Sequence, residues 1–194
     1  KNKMLARIYG TAFADRNELE AYLELREQAE KRDHKRLGSQ LDLFSVNEKI
    51  GKGLILLHPK GMVIRRALED LKREAQKGLG LQEVYTPHIA KSDLWHESGH
   101  YDAYKENMYI FDVDKQEYAI KPMNCPFHAQ IYKFKPKSYR DLPYRLAEFA
   151  TVYRNEKTGE LKGMLRVREV SQDDTHVFAR KAQIASEVQK IVPV

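Results

Sequence analysis

The stretch RLAEFATVYRNEKTGELKGMLRVREVSQDDTHVF, Arg145–Phe178, decides the fold. It reads as two long strands, Arg145–Glu156 and Met164–Phe178, joined by the Gly159–Gly163 loop, the pattern of an antiparallel hairpin with a mobile tip. Alternate residues of a strand share a face, so Arg154 and Glu156 point the same way, as do Arg166 and Arg168.

Working outward, Gln82–Thr86 reads as a strand halted at Pro87, which has no amide to give to a ladder. Before it, Met62, Ile64, Ala67, Leu68, Leu71 and Ala75 recur at helical spacing from Gly61 to Gln76, and Gly78 and Gly80 end that helix. Its apolar stripe needs a sheet or a partner subunit to pack on. Met108–Phe111 and Glu117–Ile120 flank a turn at Asp112–Lys115, and a short helix follows from Met123 to Phe134. Nearer the start, Asp15 and Glu18 have capping-box spacing and open a charged helix that runs toward Gly38. Leu41–Val46 alternates like a strand, Gly53–Leu57 is a short apolar run, and Lys181–Val192 begins a last helix. The fold class expected is α+β, an antiparallel β-sheet flanked by helices.

With 194 residues, 42% hydrophobic, the chain can bury one medium core despite 32% charged residues, so two full domains and wholesale disorder are both disfavoured. The net charge of +6 leans mildly toward polyanions such as RNA or nucleotide phosphates. No apolar run approaches the roughly 18–20 residues that cross a bilayer, and Lys1–Gly10 lacks the features of a signal peptide, so the cytoplasm is the expected compartment. The single cysteine, Cys125, excludes an internal disulfide and must be core, ligand or nucleophile.

Arg154, Glu156, Arg166 and Arg168 on neighbouring strands could hold a nucleotide: arginine grips phosphate or carboxylate bidentately, and a carboxylate can meet the exocyclic amine of adenine. Equally, they could be cross-strand surface ion pairs. Cys125 and His176 could be a buried small hydrophobe and a hydrogen-bonded strand residue, or metal donors, and Cys125 with His128 one helical turn on could be a nucleophile and its base.

The helix and strand ending at Pro87 resemble motif 1 of class II aminoacyl-tRNA synthetases, and Tyr153-Arg154-Asn155-Glu156 with Arg166 resembles their motif 2. Lys121-Pro122-Met123-Asn124-Cys125-Pro126, and Arg166-Val167-Arg168 through Gln172-Asp173-Asp174-Thr175-His176, narrow the likeness to the threonyl-tRNA synthetase family. Lys3–Phe13, Trp95–Tyr104 and Ser138–Phe149 support it, so the resemblance spans essentially the whole chain. Phe127 departs from the glycine that many family members carry after Cys-Pro.

The resemblance implies a threonine-tRNA ligase that activates threonine with ATP and Mg²⁺ and transfers it to tRNA(Thr). It implies residues 1–46 as a lead-in with a charged helix and 47–194 as a partial catalytic domain holding motifs 1 and 2. Motif 3, the anticodon-binding domain and the editing module that handles serine are expected outside the chain, which is expected to be inactive or nearly so alone. Arg154 would meet the threonine carboxylate and the ATP α-phosphate, Glu156 the adenine amine and Arg166 the phosphates. Met123, Gln172 and Asp174 would line the threonine pocket with Arg154, and His100 would pass a proton during transfer. Zn²⁺ would be held by Cys125 and His176, with a third ligand expected beyond Val194, and the position of Cys125 near a helix N-terminus is expected to favour its thiolate. The Lys157–Lys162 tip would touch the acceptor stem, and the motif 1 region would form a homodimer. A seryl or prolyl enzyme, or a relative recruited for RNA binding, are the competing readings; Cys125 with His176 weighs against the first, and the retained Arg154, Glu156, Arg166, Cys125 and His176 against the second.

Overall fold

The structure, a computed structural model, describes residues 7–192. Residues 1–6, on which the readings of Lys1–Gly10 and Lys3–Phe13 partly fall, lie outside the described residues. The charged N-terminal stretch forms two helices where the sequence suggests one. Helix α1, Arg16–Lys31, is capped by the Asp15 carboxylate, which accepts from the Glu18 amide. The chain breaks at Arg32, and Asp33 caps α2, His34–Gln40, by accepting from the Lys35 amide. A second strong N-cap residue inside a charged run ends the first helix there.

Strands β1, Phe44–Val46, and β2, Ile55–Leu57, pair antiparallel and lead into α3, Pro59–Gln76, which opens with proline at its first turn. Gly80 then takes the left-handed conformation (φ 64°) after a final 3₁₀ turn, as the helix-stop reading requires.

The central sheet is built on the decisive hairpin. Strands β7, Tyr144–Tyr153, and β8, Glu169–Phe178, pair antiparallel over ten residues each, from Tyr144 opposite Phe178 to Tyr153 opposite Glu169. Strand β3, Gln82–Glu83, adds to the other edge of β7 in parallel, and the ladder continues through the Val84 amide to the Ala147 carbonyl (2.9 Å). Both hairpin strands are shorter than the sequence suggests. Arg154, Glu156, Arg166 and Arg168 therefore lie in the connecting loop, where strand alternation does not govern them. Charged residues at alternate positions mimic a strand, but this loop bends into a 3₁₀ turn at Thr158–Glu160, and the pairing near its tip is an isolated Lys162–Arg166 bridge.

A second antiparallel sheet has the order β4-β6-β5, with β4 at Ile89–Lys91, β5 at Tyr109–Val113 and β6 at Gln116–Ile120. The β5–β6 turn places Asp114 (φ 49°) and Lys115 (φ 62°) both at positive φ, the twist that a two-residue hairpin turn demands. The short helices α4, Asp93–Glu97, and α5, His100–Tyr104, contribute Trp95 and Tyr101 to a core with Met108, Ala119 and Phe127. Helix α6, Cys125–Lys133, supplies Phe127 and bridges this core to the face of β7.

On the opposite face of the β7–β8 sheet, α3 lies over Phe149 and Asp173. Arg73 sits 4.7 Å above the Phe149 ring, Lys72 pairs with Asp173 (3.2 Å), and Gln76 donates to the same carboxylate (3.0 Å). These polar contacts hold only one side of the helix. Leu68 and Leu71 remain 61% and 67% exposed, so the stripe is only partly covered by the sheet.

The last helix, α7, Ile184–Ile191, is anchored by Glu187, whose carboxylate accepts from Arg145 Nε (2.5 Å) and Nη2 (2.8 Å) and from Lys190 (3.0 Å). Arg145 and Lys190 hold the Glu187 carboxyl down to about 2, against an ordinary value of 4.5. A depressed carboxylate contributes stability that is present above its unfolded pKa and lost as pH falls through the folded one. Replacing Glu187 with glutamine is expected to destabilise the chain by about 1–3 kcal/mol at pH 7 and by progressively less between pH 4.5 and 2. Denaturant unfolding of both forms at pH 7 and pH 3 measures this; a pH-independent difference would refute it.

Candidate active site

Residues directly opposite on antiparallel strands share a face, so Gln172, Asp174 and His176 of β8 lie with Ala150, Glu148 and Leu146 of β7 on one side of the sheet. Helix α6 covers part of this side. At its heart is Glu148, 3% exposed, whose carboxylate accepts five side-chain or backbone donors: the Thr86 amide (3.0 Å) and hydroxyl (2.9 Å), Lys121 Nζ (3.4 Å), Asn124 Nδ2 (3.1 Å) and His128 Nε2 (3.1 Å). Burial alone pushes this carboxyl up, but the Thr86 amide, His128, the Thr86 hydroxyl and Lys121 together bring it below its ordinary value. Lys121, itself 0% exposed, is pulled down by burial and partly restored by Glu148. A buried carboxylate with this many donors stays ionised. The network ties three distant segments together: Thr86 in the stretch that follows β3, the entry and first turn of α6 at Lys121–His128, and the middle of β7.

His128 extends the network to β8. Its Nδ1 lies 2.9 Å from Nδ1 of His176, whose ring meets it edge-on. Burial lowers His176 from its ordinary pKa; Asp174, 3.7 Å from His176 Nδ1, opposes this, and the neighbouring His128 ring adds a smaller lowering. His176 is therefore a neutral imidazole near pH 7. His128 makes its hydrogen bonds to Glu148 and His176 and none to Cys125, which removes the nucleophile–base pairing of Cys125 with His128.

Cys125 opens α6 as an exposed residue, and Met123 precedes it half-buried. The expectation that the helix start favours the thiolate is corrected here. Desolvation and then the Asp174 carboxylate push the Cys125 thiol up, and its own backbone amide only partly offsets them. Cys125 and His176 thus both lie within electrostatic reach of Asp174. A thiol and an imidazole are donors that zinc prefers. Among the described residues, however, no three His, Cys, Asp or Glu side chains cluster closely enough to hold a metal ion.

At the far end of the hairpin, the Arg154 amide donates to the Arg168 carbonyl (2.9 Å), while its half-buried guanidinium has no hydrogen-bond or ion-pair partner among the described residues. Glu156 accepts from Arg166 Nε (2.8 Å), and Arg166 Nη2 also reaches Glu160 (2.7 Å). Arg168 is spent structurally, donating to the carbonyls of Glu156 (3.1 Å) and Lys52 (3.3 Å). The loop tip is latched by α2, because His34 Nε2 accepts from the Met164 amide (3.0 Å). Gly163 (φ 54°) permits this contact, since a β-carbon there would stand 2.2 Å from His34 Nε2. A loop expected to be mobile is thereby pinned at one point. His100, at the start of α5, has its Nδ1 at 2.8 Å from the Ser98 hydroxyl and makes no hydrogen bond to the hairpin residues. The structure thus brings Gln172, Asp174, His176 and Cys125 to one side of the sheet and pairs Glu156 with Arg166, whereas His100 stands on a separate helix.

Sequence reasoning passed over Glu148, Lys121, Thr86 and Asn124. The available signal was a carboxylate at an inward position of an otherwise apolar strand, between Ala147 and Phe149, where a charge must find partners.

Residues 105–194 match the model of the tRNA synthetase class II core domain (G, H, P, S and T). A threonine--tRNA ligase of Oleidesulfovibrio alaskensis is 53% identical over 188 residues, which cover 97% of this chain and 29% of that protein. Among solved structures, the RNA binding domain of threonyl-tRNA synthetase from Cryptosporidium parvum Iowa II superposes with a TM-score of 0.81 at 46% identity, covering 84% of this chain and 40% of that one. A threonyl-tRNA synthetase (ThrRS-1) described as putative, from Aeropyrum pernix, gives 0.76 at 32% identity, covering 82% and 38%. The chain spans about 30% of the length of the curated relatives it matches. In fold, and in sequence along nearly its whole length, the chain belongs to the threonyl-tRNA synthetase family of class II aminoacyl-tRNA synthetases.

Proposed function

We propose that this chain forms part of the catalytic domain of a threonine-tRNA ligase, which activates threonine with ATP to threonyl-adenylate and transfers it to tRNA(Thr). The observation that carries the proposal is the β7–β8 hairpin, with an unengaged arginine at one end and Gln172, Asp174 and His176 on one face. The threonine carboxylate attacks the α-phosphate in line; a carboxyl–phosphorus bond forms as the bond to pyrophosphate breaks. No strong base is needed, so positioning and charge neutralisation dominate. Arg154 grips carboxylate and α-phosphate together. Arg166 turns to the phosphates of Mg²⁺-ATP, releasing Glu156 for the adenine amine. Met123, Gln172 and Asp174 hold the amino acid, Asp174 and Gln172 meeting its amine and hydroxyl.

Cys125 and His176 would hold a Zn²⁺ ion together with a third ligand from beyond residue 194, and the bound ion would select threonine by its hydroxyl, which isosteric valine lacks. A purely apolar pocket separates isosteres only about a hundredfold, whereas a site that requires a hydroxyl reaches about 10⁴–10⁵. In the second step His100 moves a proton at the terminal ribose of tRNA. The Lys157–Lys162 tip supplies phosphate contacts to the acceptor stem.

Residues 1–46 would act as a lead-in and 47–194 as the motif 1 and motif 2 part of a longer cytoplasmic polypeptide, the rest completing the site. Among the described residues, no helix is long and apolar enough to cross a membrane. The exposed Leu68 and Leu71 side of α3 supports a homodimer through the motif 1 region. Sedimentation of the longer polypeptide is expected to give the mass of two chains, and a monomer would end that proposal. The activity is tested by threonine-dependent exchange of pyrophosphate into ATP by the same polypeptide. Strong exchange with threonine and almost none with valine is expected; equal exchange with both, or none with threonine, overturns the proposal.

A further inference from the structure

We propose that His128 is a positioning residue that fixes His176 in the tautomer protonated at Nδ1, leaving its Nε2 as the free electron-pair donor. The donor role of His176 rests on the zinc site proposed above; the relay that sets its tautomer does not. The hydrogen-bond directions follow from one end of the chain of contacts. An ionised carboxylate can only accept, so at 3.1 Å from Glu148 the His128 Nε2 must carry the proton. In a neutral imidazole the other nitrogen is then an acceptor. His128 Nδ1 faces His176 Nδ1 at 2.9 Å, so the proton between them belongs to His176. Nε2 of His176 is consequently bare.

The arrangement is rigid where it needs to be. His128 is 0% exposed and Glu148 3%, and the other donors to Glu148 come from Thr86, Lys121 and Asn124. Water therefore cannot readily substitute for either partner of His128. A ring that donates its second N–H to an acceptor is how proteins orient a metal-ligating histidine, and losing such a partner costs about 10–100-fold in metal affinity. The unusual feature here is that the acceptor is a second imidazole backed by a carboxylate, so the tautomer is set from two residues away.

The test uses ¹⁵N-histidine labelling of the metal-free chain, read by long-range proton–nitrogen correlation, which distinguishes protonated from bare ring nitrogens. Three proteins are compared: the unaltered chain, His128→Gln and His128→Leu. The glutamine amide spans nearly the same distance as the two ring nitrogens, so it can donate to Glu148 and accept from His176; leucine fills space and does neither. The expected result is Nε2–H at His128 and Nδ1–H at His176 in the unaltered chain. The His176 pattern should persist in His128→Gln and be lost in His128→Leu. A bare Nδ1 on His176 in the unaltered chain, or an Nδ1–H pattern that survives in His128→Leu, overturns the proposal. A separate zinc titration of the longer polypeptide is expected to show affinity about 10–100-fold lower for His128→Leu and near unaltered for His128→Gln. Absence of zinc binding in the unaltered protein would defeat the metal site, while the nitrogen pattern would still decide the relay.

Discussion

Replacing Arg154 with alanine is expected to lower threonine-dependent pyrophosphate exchange by about 10²–10³-fold, the scale on which removal of one transition-state charge stabiliser acts. The guanidinium is half-buried and has no hydrogen-bond or ion-pair partner among the described residues, so its removal breaks no internal bond. Unfolding midpoints of the variant should therefore stay within about 0.5 kcal/mol of the unaltered protein. Arg154→Lys should recover little of the rate, because a point charge cannot bridge a carboxylate and a phosphate through one planar fork. Steady-state exchange measured alongside urea unfolding separates the two effects. A loss of stability matching the loss of rate would mean that Arg154 is structural, and unchanged exchange would remove it from the site.

Glu148 makes the opposite prediction. Its carboxylate is not proposed to touch substrate, yet Glu148→Ala should destabilise the chain by about 3–5 kcal/mol, the range seen when one member of a buried ion pair is deleted. The variant leaves the buried Lys121 ammonium, the Thr86 amide and Asn124 Nδ2 without their common acceptor. Lys121 retains only Thr86, through its carbonyl (3.3 Å) and hydroxyl (2.8 Å). Glu148→Gln, which keeps one acceptor oxygen but presents an amide to surrounding donors, should fall between the two. Equilibrium denaturation reads both, and a loss under about 1 kcal/mol for the alanine variant would show that the network does not hold the segments together.

These two residues also mark what the sequence discloses and what it hides. The β7–β8 hairpin is legible because two long strand-like runs flank the Gly159–Gly163 loop, and the β5–β6 hairpin because two shorter runs flank the turn at Asp112–Lys115. The positions of Arg154 and Arg166 are legible only as part of a pattern. Their alternation extends the strands on paper into a loop that the chain bends, so strand geometry misplaces them. The break between α1 and α2 turns on Asp33, whose capping competes with the helical propensity of a charged run. The Glu148 network escapes a linear reading altogether, because its partners come from Thr86, Lys121, Asn124 and His128 on other elements. Periodicity reports which face a residue takes, and not which distant side chain waits there. Likewise Cys125 at a helix start suggests an activated thiol, yet desolvation, and then the Asp174 carboxylate, push it the other way.

The place where threonine sits separates a catalytic hairpin from a merely structural one. A crystal structure of the longer polypeptide with a non-hydrolysable threonyl-adenylate analogue decides it. The phosphate of the analogue is expected on Arg154 and its amino-acid end on the Gln172, Asp174 and His176 face, beside Cys125. An analogue bound on the α3 side of the sheet, or away from the hairpin, would contradict that placement.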